Sequence, residues 1–360
     1  MNLRILGMTI WLALMLFSTG AVAGYEITKV VEVGPAAMMP FTGPLKWSPN
    51  GAKLAHFAKG YLMVSDTLGN SRQVWAIPED ERPHKCEWVS DSLIAVNTVT
   101  PHRLPKSVSR KTITLIDVYA ETSSVAVKEP KFDLSGRHNI RAGDTFIEGP
   151  LLSLEGHAYY LEKASTGRWL RTSRGKMQET VNEAHWLAPE PSGSMKDDHM
   201  LVWADSSLFL VNLDQSDSTL LVEMAPPGIG FPTVISADRH YVMHGGRIVE
   251  VATDTHITLD TAQGDPPGET IGCGFLYTTF NPKAPEVALN QTCDGTYPSG
   301  KEYVVDRIGT FNYKTGEFTI IDTAIGLSGC TAPVYAPDGM KIAFICSSDH
   351  KAYILHRKMR

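Results

Sequence analysis

Two stretches near opposite ends of the chain say nearly the same thing. One runs Lys46-Trp47-Ser48-Pro49-Asn50-Gly51-Ala52-Lys53-Leu54-Ala55 and the other Val334-Tyr335-Ala336-Pro337-Asp338-Gly339-Met340-Lys341-Ile342-Ala343. Each reads as a strand, a tight turn and a second strand. Proline presets the first turn dihedral, Asn or Asp follows, and Gly supplies the positive φ that closes the turn. The alternating apolar residues after the turn belong to a strand with one buried face. A strand-turn-strand unit that returns this far along a chain points to a repeat architecture.

Degenerate copies lie between the two clear ones. Trp88-Val89-Ser90-Asp91-Ser92, Leu152-Ser153-Leu154-Glu155-Gly156, Leu187-Ala188-Pro189-Glu190, Ile235-Ser236-Ala237-Asp238 and Phe280-Asn281-Pro282-Lys283 each precede an apolar strand. The anchors are then Trp47, Trp88, Leu152, Leu187, Ile235, Phe280 and Tyr335. Their spacing scatters around the roughly 40–50 residues of a four-stranded propeller blade. The last copy ends at Ala352-Tyr353-Ile354-Leu355-His356, one strand short. Tyr25–Val33 supplies a strand at the other end. A ring that fails to close exposes edges that template aggregation. The expectation is an all-β, seven-bladed propeller closed by the N-terminal strand. The alternative has six blades, with residues 152–203 forming one irregular blade.

The Trp47-Ser48-Pro49-Asn50-Gly51 and Tyr335-Ala336-Pro337-Asp338-Gly339 units resemble the TolB-type propeller repeat, an aromatic followed by Ser-Pro-Asp-Gly-Lys-x-Ile-Ala-Phe. Two copies match well and five are eroded. The resemblance implies a propeller that serves as a binding platform, without naming a partner. The family's namesake carries an α/β domain before its propeller, and seven blades are expected to leave no room for one here.

The chain opens with Arg4 ahead of an apolar run from Ile5 to Phe17, then Ala21-Val22-Ala23. A positive start, a short apolar run and an A-x-A site describe a signal peptide over 1–23. Residues 24–360 then form a single propeller domain, with no membrane span after cleavage. The run is shorter than the roughly 20 residues a spanning helix needs. The formal net charge is −6, which speaks against general nucleic-acid binding. The expected location is periplasmic or secreted, and the expected state is a monomer.

An exported chain permits disulfides. Residues paired across an antiparallel hairpin lie symmetrically about its turn. Cys273 and Cys293 are symmetric about Lys283, and Cys330 and Cys346 about Asp338. Both pairs therefore fall opposite each other on the first two strands of a repeat, within reach of a bridge. Cys86 has no mirror partner and reads as a free core thiol.

No catalytic signature stands out. Gly326-Leu327-Ser328-Gly329-Cys330 lacks the spacing of a nucleophile elbow. Gly228-Ile229-Gly230 stops short of a dinucleotide fingerprint. His240, His244 and His256 lack a ligand set with metal-site spacing. No catalytic residue, metal or cofactor is expected. Two inter-strand segments are unusual, Thr98 to Lys111 and Thr292 to Lys301. The first is basic. With the connections at 80–85 and 137–141 it places Arg82, His84, His102, Arg103, Arg110, Arg137 and Arg141 on one expected face. Such a patch suits an anionic ligand or the acidic surface of an envelope or secreted protein. The reading is an exported, non-enzymatic binding protein. The competing one is a propeller lyase or hydrolase acting on a sugar or lactone, with its site assembled from several blades.

Overall fold

The computed structural model describes residues 21–22, 25–36, 45–99, 111–128, 146–152, 158–163, 168–173, 176–182, 185–186, 199–204, 207–212, 218–223, 233–244, 246–259 and 269–359. The described strands pair into seven antiparallel sheets, six of them four-stranded meanders of consecutive strands and the seventh joining two early strands to the last three. Sheet one holds Leu45–Trp47, Lys53–Ala58, Tyr61–Asp66 and Ser71–Ala76. Sheet two holds Arg82–Trp88, Leu93–Val99, Lys111–Asp117 and Thr122–Lys128. Sheets three and four start at Phe146–Leu152 and His185–Trp186. Sheet five runs from Thr233–Ile235 to Thr255–Thr258. Sheet six holds Glu269–Phe280, Glu286–Thr296, Glu302–Asn312 and the short Glu317–Ile320. Sheet seven holds Cys330–Tyr335, Lys341–Cys346 and Lys351–Met359, and its next strand is Tyr25–Pro35. Tyr25 pairs with Met359 and Pro35 with Lys351, with two register shifts between. The one helical element among the described residues is a 3-10 turn, Thr323–Ile325.

The repeat has a local cause. In sheet one Ser48 donates to Asn50 Oδ1 at 2.8 Å, Asn50 Oδ1 accepts from Ala52 N, and Ser48 Oγ accepts from Lys53 N. In sheet five Ser236, Asp238, His240 N and Tyr241 N make the same bonds at the same offsets. A short polar side chain thus satisfies the amides that the turn would leave without partners. Gly51 and Gly339 take the left-handed conformation that completes the turn, with φ of 67° and 70°.

Apolar clusters form between neighbouring sheets. Val31, Trp47, Leu54, Val334, Ile345 and Ile354 fill the space between sheets seven and one. Phe57, Leu62, Cys86, Trp88 and Ile116 do so between one and two. Met243, Phe275, Val287 and Phe311 join five to six, and Ala288, Ile308, Tyr335, Ile342 and Leu355 join six to seven. These sheets therefore pack face to face, and sheets one, six and seven bury apolar residues on both faces.

Polar bonds repeat the same neighbour relations. Trp47 Nε1 donates to the carbonyl of Val334 at 3.1 Å, and Trp88 Nε1 to that of Lys46 at 3.0 Å. The turn of sheet one reaches that of sheet two through Asn50 N and Asp91 Oδ1, 2.9 Å apart. Between sheets six and seven, Arg357 binds both oxygens of Glu286 at 3.0 and 2.9 Å and the carbonyl of Gly339 at 2.9 Å. Its guanidinium lies between the rings of Tyr25 and Tyr335, 4.0 and 5.0 Å from their centroids. In sheet one the buried His56 Nε2 meets Ser65 Oγ at 3.1 Å. Ser65 meets Ser71 at 2.5 Å, and Ser71 donates to the carbonyl of Val33 at 2.6 Å.

Candidate functional site

Sheet six departs from the other described sheets in length. Its second and third strands, Glu286–Thr296 and Glu302–Asn312, pair without interruption from Glu286↔Asn312 to Thr296↔Glu302. The outer strand pairs only with Gly309–Asn312. The first three strands therefore continue past the end of the fourth as a three-stranded hairpin. The segment from Thr292 to Thr296, expected as part of an inter-strand loop, is strand. The alternation of short polar and small residues there kept it from reading as one. The turn itself is short: Tyr297 N donates to the carbonyl of Lys301, and Gly300 N to that of Tyr297, both at 2.8 Å.

Two devices stiffen the hairpin. Cys273 and Cys293 stand directly opposite each other and are bridged, as are Cys330 and Cys346 in sheet seven. Beyond the bridge, the rings of Tyr297 and Tyr303 pack with centroids 5.0 Å apart. At its root the first strand bends, with a register shift between Leu276 and Thr279 and a positive φ of 47° at Tyr277. A bulge of this kind re-aims a strand.

The face of the hairpin turned toward sheet seven is polar at its root and acidic further out. At the root Thr331 donates to Asn290 Oδ1 at 3.1 Å, and Asn290 Nδ2 donates to the carbonyl of Arg307 at 3.1 Å. One step out, Thr292 donates to Asp306 Oδ1 at 2.7 Å. Beyond that Asp294 pairs across from Val304, and Thr296 across from Glu302. Side chains two apart share a face. Asp294, Glu302 and Asp306 therefore surround Val304, which is 70% exposed. Near the root, Asp322 caps the 3-10 turn by accepting from Thr323 N at 3.0 Å. Burial pushes its carboxyl up to about 6, against the pull of that amide and of Arg307.

The expected basic patch is only partly within the described residues. Arg82 is exposed and starts the strand Arg82–Trp88, which also contains His84. Residues 82–85 were expected in a connection. They lie in a strand because its register shifts between Pro83 and Lys85, where a residue without an amide hydrogen is tolerated. His102, Arg103, Arg110, Arg137 and Arg141 lie outside the described residues. Cys86 is buried and free, and burial pushes its thiol up to about 12. Sequence reasoning singled out the 292–301 segment but missed its acidic face. Alternation of Asp294, Thr296 and the paired Glu302, Val304 and Asp306 carries that signal.

No family model matches the sequence, and no curated protein matches it. Among solved structures, a chain from a crystal structure of a mitotic checkpoint complex fits with a TM-score of 0.51 at 12% identity, covering 99% of both chains. Virginiamycin B lyase from Staphylococcus aureus fits with 0.47 at 14%, over 91% of this chain and 99% of that one. TolB from Acinetobacter baumannii fits with 0.35 at 11%, over 87% of this chain and 62% of that one. The last two fits are too loose to carry an argument. Together with the meandering sheets, the first establishes the β-propeller fold. It does not single out the TolB type.

Proposed function

We propose that the chain is an exported binding protein, built as a seven-bladed TolB-like propeller, that engages a partner through the sixth-sheet hairpin. The hairpin carries this reading. It extends three strands beyond the sheet, bridges the first two with a disulfide and leaves Val304 of the third exposed between three carboxylates. A long exposed strand invites unwanted pairing, and natural proteins avoid one unless it is used. Stiffening it beforehand lowers the ordering cost of binding. The two disulfides fit a periplasmic or secreted location. The seven sheets fit seven blades in one ring. In that ring Tyr25–Pro35 completes the last blade, and the Trp47 bond to Val334 joins the last blade to the first.

The test places a photo-crosslinking residue at Lys301 in the full chain and irradiates native envelopes. A discrete adduct is expected. It should disappear when residues 292–306 are shortened to a tight turn in a chain that still folds cooperatively. Absence of any adduct from the intact hairpin overturns the reading.

A further inference from the structure

We propose that the free edge of Glu302–Asp306 binds an extended segment of a partner protein by strand addition, and that this segment carries basic residues on both sides of an apolar one. The inference rests on the binding reading above and names its mode and chemistry.

The edge follows from the pairing. Ile321 N donates to the carbonyl of Ile308 at 2.8 Å from the outer side, and Tyr313 N donates to the carbonyl of Pro285 on the inner side. Even-numbered residues of this strand therefore turn their backbone groups outward and odd-numbered ones turn them toward Glu286–Thr296. The outer strand stops at Ile320, paired with Gly309. Among the described residues no strand pairs outward with Glu302, Val304 or Asp306. Three N–H and C=O pairs thus point outward in register. An added strand takes its affinity from such main-chain groups and its specificity from alternate side chains.

Those side chains decide the occupant. Glu302 and Asp306 flank Val304 on the face that also holds the exposed Asp294. A second copy that used all three outward residues in antiparallel pairing would set Glu302 opposite Asp306 twice. Like charges directly opposed across a ladder are destabilising. A segment with Lys or Arg at two positions four apart, and an apolar residue midway, meets a carboxylate at each end and Val304 in the middle. Opposite charges across a ladder are favourable.

The test uses the full chain and a blocked nonapeptide centred on Lys-Thr-Val-Thr-Lys. Exchange of single amides is followed by NMR. On addition of the peptide, exchange at Glu302, Val304 and Asp306 should slow at least tenfold, while Tyr303, Val305 and Arg307 stay unchanged. Val304→Pro removes one outward donor without touching the inner ladder, and should weaken binding at least tenfold; Val304→Thr should leave it within threefold. Glu302→Lys guards against a folding defect in the proline variant. It should weaken the Lys peptide and strengthen one centred on Glu-Thr-Val-Thr-Glu. Protection without alternation, or affinity indifferent to these changes, overturns the proposal. So does the same protection arising from the chain alone as its concentration rises, because the occupant is then a second copy. If the Lys301 crosslink persists undiminished in Val304→Pro, strand addition falls and the binding reading stands. If the unaltered chain gives no crosslink, the binding reading itself falls.

Discussion

Trp47 Nε1 donates to the backbone carbonyl of Val334, 287 positions later in the chain, and both residues are buried. Trp88 makes the same bond to the carbonyl of Lys46, so one device couples sheet seven to one and sheet one to two. Trp47→Phe keeps an aromatic ring but leaves the Val334 carbonyl without this donor. A buried acceptor without a partner costs about 1–3 kcal/mol. Chemical denaturation of Trp47→Phe should show a loss of that size. Trp47→Phe and Trp88→Phe should each destabilise. Unchanged stability in both would remove the indole bond as a joint.

The Glu286–Arg357 pair supplies a second joint, between sheets six and seven. Glu286→Ala leaves a buried guanidinium facing Tyr25 and Tyr335 without its counter-charge. Breaking one side of a buried pair costs about 3–5 kcal/mol, whereas replacing both partners by apolar groups of similar volume costs far less. Thermal denaturation should therefore place Glu286→Ala below the double variant Glu286→Leu with Arg357→Met. The reverse order would mean that the pair contributes little beyond its volume.

Two buried groups give the chain opposing pH responses. Burial holds His56 down to about 4, so its neutral form is favoured in the fold. That contribution is fully present above about 6.5 and is lost as pH falls toward about 4. Asp322 is pushed up to about 6, so its contribution is present below the unfolded value near 3.8 and is lost as pH rises through about 6. Each amounts to roughly 3 kcal/mol at most. Between about 4 and 6 they offset each other. His56→Gln should make the protein gain stability as pH falls through that range. Asp322→Asn should make it lose stability there. Parallel slopes in the two variants would contradict both assignments.

The cysteines separate by accessibility. Cys86 lies in the core between sheets one and two, with its thiol pushed up to about 12. The reactive species is the thiolate, so native protein at neutral pH should resist an alkylating reagent until it unfolds. The bridges close loops with sequence separations of 20 and 16. Removing the Cys273–Cys293 bridge as a Ser pair should cost about 3 kcal/mol in the chain-entropy picture. It should also raise amide exchange in the hairpin. Rapid alkylation of one thiol in native protein would contradict the placement of Cys86.

Much of the strand plan was legible because it is local. Trp47, Trp88, Leu152, Ile235, Phe280 and Tyr335 each end the first strand of a sheet, and Leu187 follows one directly. Turn chemistry fixes where a first strand stops, so the anchors carry it. The bridged cysteines were legible for the same reason, since hairpin symmetry is set by the turn. Glu286 and Arg357 were not, because they meet only through the stacking of two sheets and share no spacing. Nor was the acidic face of the hairpin, whose members come from two strands and are grouped only by their register. The strand at Arg82–Trp88 was hidden by Pro83, which reads as a loop until its bulge is seen.

The pairing of Tyr25–Pro35 with Lys351–Met359 also bears on the order in which the protein is made. Sheet seven joins an early strand of the described fold to the latest. A nascent chain emerging at about 5–20 residues per second leaves residues 25–35 without this partner through nearly all of synthesis. Contacts between such distant segments are also the slow ones to form. A chain built this way stays unfinished until Met359 has emerged.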